Sequence, residues 1–126
     1  MDKAKWIWMP HAAHFICASR CQFRLATYVG GFIVSTVGEM EIQNTEIAKI
    51  VGKKVGDFDT IGYNRMYETM VFKAIPSAPE FTCCPYGIDV SETVDRDGYN
   101  DANAATAGHM ALCEKWAAMH DAELED

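Results

Sequence analysis

Apolar and β-branched residues crowd the two runs on either side of Gly30-Gly31, from Gln22 to Gly38, and that pattern predicts an antiparallel hairpin. Two consecutive glycines supply the positive φ of a tight primed turn, so Val29 and Phe32 become the first cross-strand pair. Counting outward pairs Thr27 with Val34, Leu25 with Thr36 and Phe23 with Gly38, all on one face, which is the expected core face. The reverse face receives Tyr28 with Ile33, Ala26 with Ser35 and Arg24 with Val37. It is too apolar for plain solvent yet carries a charge and a phenol, and is therefore expected to be covered or used.

The rest of the chain divides by the same logic. Trp6 to Met9 and Phe15 to Cys17 read as short extended segments around Pro10 that feed the hairpin. Thr45 is the expected N-cap of a two-turn helix over residues 46–53 that places Ile47, Ile50 and Val51 on one side and ends near Gly52 or Gly56. From Arg65 to Ile75, Met66, Met70, Phe72 and Ala74 alternate with Tyr67, Thr69, Val71 and Ile75. Two apolar faces predict a central strand, with Glu68 and Lys73 in need of partners or solvent. Pro76, Pro79 and Pro85 interrupt regular structure and predict a long loop over residues 76–97. Asn100 or Asp101 can cap a closing helix whose inward stripe is Ala105, His109, Leu112, Cys113 and Trp116, running to about His120. Gly108 inside that helix implies a close approach by a strand or loop. Residues 121–126 read as an acidic tail. The expected architecture is one α+β domain spanning residues 1–126: an antiparallel sheet of three to five strands packed on a C-terminal helix, with a short connector helix.

Composition narrows the partners. With 126 residues, 49% hydrophobic and 23% charged, the chain is long enough for a real core. Its net charge of −7 repels phosphate backbones, so no direct nucleic-acid partner is expected despite the local cluster of Lys49, Lys53, Lys54 and, further on, Arg65. An acidic protein docks more readily on a basic protein surface. Five cysteines are an odd number and Cys83 adjoins Cys84, which argues against a disulfide framework and for a reducing compartment. No run approaches the roughly 18 apolar residues of a membrane span, and Pro10 and His11 cut short the apolar start of the chain, so a cytoplasmic protein with no membrane partner is expected.

Cysteine and histidine make the strongest chemical constellation: His14, Cys17, Cys21, Cys83, Cys84, His109 and Cys113. His109 and Cys113 are four apart and share a helix face, so with Cys21 and Cys84 they could complete a tetrahedral zinc site if the long loop folded back. The paired two-residue cysteine spacings of common zinc modules are absent, and core packing accounts for the same residues more cheaply. A Cys113–His109 nucleophile would sit on a buried stripe in an acidic region, the wrong setting for a thiolate. The run Asp95, Asp97, Asn100, Asp101 fails the calcium-loop spacing, because glycine falls at its fourth position and Thr106 at its twelfth. No phosphate loop, serine elbow or metalloprotease helix occurs. The expectation is a protein without catalytic residues and without a required cofactor, zinc being the one candidate. Its ligand or partner contacts would come from the aromatic and basic set Arg24, Tyr28, Arg65 and Tyr67, or from the acids Asp89, Glu92 and Asp95.

The segments His14-Phe15-Ile16, Thr27-Tyr28-Val29, Ile33 to Glu39, Tyr67-Glu68-Thr69-Met70-Val71-Phe72, and Gly98-Tyr99-Asn100 with Gly108-His109 resemble a group of small proteins encoded by tailed bacteriophages and prophages. The resemblance covers most of the chain and is most specific in the Tyr-Glu-Thr-Met-Val-Phe strand. It implies a bacterial host cell as the setting and carries over no catalytic residue. A small acidic protein in that setting is expected to act as an accessory inhibitor of a host defence complex, anti-CRISPR-like, masking a basic nucleic-acid groove. The alternatives are a zinc-stabilised structural or assembly factor, and a small-nucleotide binder or enzyme. Association into a homodimer is left open by the sequence.

Overall fold

The structure, a computed structural model, describes residues 6–9, 20–61, 65–76 and 86–125. Its elements are strands β1 (Trp6–Trp8), β2 (Cys21–Val29) and β3 (Phe32–Glu41), helix α1 (Thr45–Val51), strands β4 (Phe58–Asp59), β5 (Tyr67–Pro76) and β6 (Tyr86–Tyr99), and helix α2 (Ala102–Glu125). They form an α+β fold: six antiparallel strands in the order β1-β2-β3-β5-β6, with β4 added at the far end of β3, and α2 packed on the sheet.

The glycine doublet makes the reversal the sequence calls for. Gly30 and Gly31 adopt φ values of 51° and 94°, and β2 pairs with β3 from Val29↔Phe32 through Thr27↔Val34 and Leu25↔Thr36 to Phe23↔Gly38. The expected core face is the one α2 covers. Val29, Val34 and Val71 are buried there with Cys113 and Ala117, and Phe32, Leu112 and Trp116 pack against them. The reverse face is buried as well, at Ala26, Ile33, Ser35, Val37, Glu68 and Phe72. With both faces covered, β3 carries an unbroken buried stretch from Ile33 to Gly38, the signature of a central strand.

Two close approaches explain two glycines. Gly38 leaves room for the ring of Tyr67 on the neighbouring strand, because a Cβ there would fall 2.0 Å from Tyr67 Cδ1. Gly108 does the same on α2: a Cβ would lie 2.2 Å from Tyr99 Cε1, so the last aromatic of β6 rests directly on the helix backbone. The glycine inside a helix is thus the receptor for one side chain from the strand that precedes it.

Several expectations need correction. Residues 86–99 are not loop but the longest strand of the sheet, paired with β5 from Pro76↔Tyr86 to Tyr67↔Tyr99, with irregularities on either side of Phe72. The prolines stop at Pro85, and Tyr86, Ile88 and Val90 then alternate with small or polar residues, a period-2 pattern hidden by its acids. The segment expected as an acidic tail continues α2 through Glu125, since alanine, leucine and glutamate all favour helix and no breaker intervenes. Asn44, not Thr45, caps α1: its side chain accepts from the backbone N–H groups of Glu46 and Ile47 at 2.8 and 3.2 Å. Gly52, at φ 72°, closes that helix. Asp101 caps α2, accepting from the Ala104 N–H at 2.8 Å. The extended segment expected at Phe15 to Cys17 lies outside the described residues.

Candidate functional site

The densest polar chemistry lies between α2 and the sheet. His109 sits on the inward stripe of α2 and is 0% exposed. Its Nε2 is 2.8 Å from Thr27 Oγ1 on β2, and its Nδ1 is 2.7 Å from Thr36 Oγ1 on β3. Thr36 in turn is 2.6 Å from Thr69 Oγ1 on β5. One helix residue is therefore tied to three adjacent strands through hydroxyls that the pleat places on one face. A neutral imidazole carries one N–H and one lone pair, so one threonine accepts from the ring while the other donates to it.

Burial pushes the imidazole pKa down to about 4, because no carboxylate offsets the loss of water around a cation. Trp8 of β1 lies across from Thr27 in the sheet and stacks on His109, with ring centroids 5.9 Å apart and planes 13° apart. The indole itself is 61% exposed, so it stands between the imidazole and solvent. One turn along α2, burial raises the Cys113 thiol to about 11, the charge of Glu114 adding to the effect and the Thr27 hydroxyl opposing it. At pH 7 a thiol of that pKa is ionised in about one molecule in ten thousand. Neutral histidine, un-ionised thiol and no solvent access make a structural network, not a nucleophile and its base. Tyr99 closes the far side. Its hydroxyl is buried near the Thr69 hydroxyl and the Asp97 carboxylate without a well-formed hydrogen bond, and burial raises its pKa, with Thr69 opposing.

Among the described residues the expected zinc ligands are not brought together. Cys21 and Thr27 lie on the same strand six residues apart, about 20 Å at roughly 3.3 Å per residue. Cys21 therefore cannot share an ion with a histidine bonded to Thr27. Both nitrogens of His109 already have threonine partners. Cys84, like His14, Cys17 and Cys83, lies outside the described residues, and among the described residues no group of three or more His, Cys, Asp or Glu is placed to hold a metal.

The other candidates are dispersed. Arg24 is exposed and Tyr28 half-buried on the reverse face of β2, whereas Tyr67 is buried on the α2 side of β5, where it covers Gly38. Tyr67 packs edge-on against Phe23 at 5.1 Å and donates to Glu39 Oε2 at 2.6 Å. Burial, helped by Glu39, pushes its phenol up to about 12, so it is a packing residue. Arg65 is exposed and borders an open cleft of about 320 Å³ with Arg96, Asp97 and Gly98. Asp89, Glu92 and Asp95 all lie on β6. Asp95 accepts from Lys115 Nζ at 2.7 Å and from Trp116 Nε1 at 3.1 Å. Burial works to raise its carboxyl, but those hydrogen bonds outweigh it and hold it below the usual carboxylate range.

The chain matches no family model, no curated protein and no solved structure.

Thr27, Thr36, Thr69 and Tyr99 were not among the sequence candidates. The available signal was a set of threonines on the apolar face of three strands, opposite a histidine on an apolar helix stripe.

Proposed function

We propose that this protein is a non-enzymatic binding protein that presents its acidic edge to a basic surface on a partner protein, acting as an accessory inhibitor of a host defence complex in the setting the phage resemblance implies. The observation that carries the reading is β6. Among the described residues it is an edge strand of the sheet, and Asp89, Glu92, Asp95 and Asp97 follow one another along it at steps of two or three residues. At roughly 3.3 Å per residue those steps are about 7–10 Å, so acids recur along the length of the strand, Asp95 among them paired with Lys115. A groove built to hold a phosphate backbone offers the complementary field. The histidine and thiol that could have supported catalysis are meanwhile spent on holding α2 to the sheet.

A charged edge also keeps sheets from pairing with one another, so the decisive property is salt-sensitive binding to a defined complex. Purified CRISPR effector complexes immobilised on a sensor, and plaque assays on hosts carrying the same systems, provide the test. The wild-type chain is expected to bind at low salt, weaken at high salt and protect phage. Asp89→Lys with Glu92→Lys and Asp97→Lys is expected to abolish both effects while leaving the thermal melt unchanged. Protection by the charge-reversed variant, or no binding by the wild type to any complex tested, would overturn the proposal.

A further inference from the structure

Among the described residues the Tyr99 hydroxyl is the one buried side-chain polar atom without a well-formed hydrogen bond, and it stands at the end of a longer polar chain. Thr69 pairs with Asp97 across β5 and β6, and Tyr99, two residues further along β6, shares their face. Its hydroxyl lies near both the Thr69 hydroxyl and the Asp97 carboxylate, and its ring rests on Gly108, the neighbour of His109 in α2. From there the links run from Thr69 to Thr36 at 2.6 Å, from Thr36 to His109 Nδ1 at 2.7 Å and from His109 Nε2 to Thr27 at 2.8 Å, ending at the Cys113 thiol beside Thr27. Of all these side chains only Asp97 is exposed.

We infer that Asp97 orders this chain in one direction, so that the sealed imidazole is held as its Nδ1–H tautomer and responds to the charge on a surface carboxylate. Each hydroxyl has a single proton to donate, and the order follows link by link. A carboxylate only accepts, so Tyr99 turns its O–H towards Asp97, which the Gly98 N–H steadies at 2.8 Å. The phenol oxygen then accepts from Thr69, Thr69 from Thr36, and Thr36 from the ring N–H on Nδ1. Nε2 is left as the lone pair that the Thr27 hydroxyl fills. The opposite order keeps every internal link: Tyr99 donates to Thr69, Thr69 to Thr36, Thr36 to Nδ1, and the ring N–H on Nε2 to Thr27. The two orders differ only at their ends, and charge-assisted bonds are roughly twice as strong as neutral ones, so the end that carries the carboxylate decides. The element is bistable with no backbone movement, and neutralising Asp97 reverses it. It does not rest on the binding role proposed above.

Long-range proton–nitrogen correlation spectra of the labelled protein at pH 7, where burial keeps the ring neutral, read the tautomer directly, with His109→Gln assigning the signal. The wild-type ring is expected to be protonated on Nδ1. Asp97→Ala, at an exposed position, is expected to leave the melt unchanged and move the tautomer ratio towards Nε2–H by about tenfold. Asp89→Ala, which removes the same charge from the same strand outside the chain, is expected to leave the ratio alone. Tyr99→Phe breaks the link, so Asp97→Ala added to it is expected to have no further effect, which separates a signal passed along the chain from a field acting through space. A wild-type ring protonated on Nε2, a ratio unmoved by Asp97→Ala, a ratio moved as far by Asp89→Ala, or an Asp97→Ala effect that persists in full without the phenol hydroxyl would overturn the inference.

Discussion

Acidification should cost the wild-type fold about 2–3 kcal/mol more than it costs a His109→Gln variant between pH 7.5 and pH 4.5. The imidazole ordinarily titrates at 6.5 and in the folded protein at about 4. Above pH 6.5 both folded and unfolded chains hold it neutral, so it contributes no pH dependence. As the pH falls from 6.5 towards 4 the unfolded chain takes up a proton that the folded chain refuses, and stability is lost; below about 4 both states are protonated and the loss levels off. The cause is the sealed site. His109 is 0% exposed, and a cation there would need two outward N–H donors where the network now has one donor and one acceptor. Urea unfolding of both proteins at a series of pH values gives the quantity directly, and carboxylate titrations common to the pair cancel in the difference. Glutamine will lower the absolute stability through a poorer fit, which is why the pH dependence is compared. Parallel curves for the two proteins would refute the reasoning. So would an NMR titration of the wild type in which the His109 ring charges near its ordinary pH.

Gly108→Ala should destabilise the fold by about 1–3 kcal/mol despite alanine's better helix propensity, because the new methyl meets the Tyr99 ring; chemical denaturation checks it, and adding Tyr99→Leu should recover part of the loss. Tyr99→Phe removes a buried hydroxyl that lies near Thr69 and Asp97 without a well-formed hydrogen bond, and should change stability by no more than about 1 kcal/mol, read as the urea midpoint. Cys113, buried and with its thiol pushed up to about 11, should resist iodoacetamide at pH 8 in the folded protein and react in urea, as peptide mass spectrometry on that site will show.

Much of this fold was legible because its strongest signals are local. Gly30-Gly31 fixed the turn, and the turn fixed every pair from Val29↔Phe32 outward. The spacing of Ala105, His109 and Cys113 gave the buried stripe of α2. What stayed hidden depended on partners distant in sequence. β6 disguised itself as loop because an outermost strand tolerates acids on positions that an inner strand would fill with valine. The stripe of α1 was readable as apolar, but whether it faces core or water is decided by the rest of the molecule. Tyr67 looked available because nothing in its own neighbourhood announces that Gly38, twenty-nine residues earlier, has been emptied for its ring. The histidine network was hidden for the same reason: Thr27, Thr36 and Thr69 read as ordinary strand residues until three strands and a helix bring them to one point.

That convergence has a further consequence for α2. Oily contacts alone are indifferent to small displacements, and a smooth helix on a smooth sheet could ratchet by a turn and lose little. Directional bonds remove the freedom. Were α2 to slide one turn in either direction, an alanine or a thiol would arrive where the imidazole now stands, and three hydroxyls would be stranded dry. The imidazole is thus an indexing pin, and it sets the axial position and rotation of the longest helix in the protein.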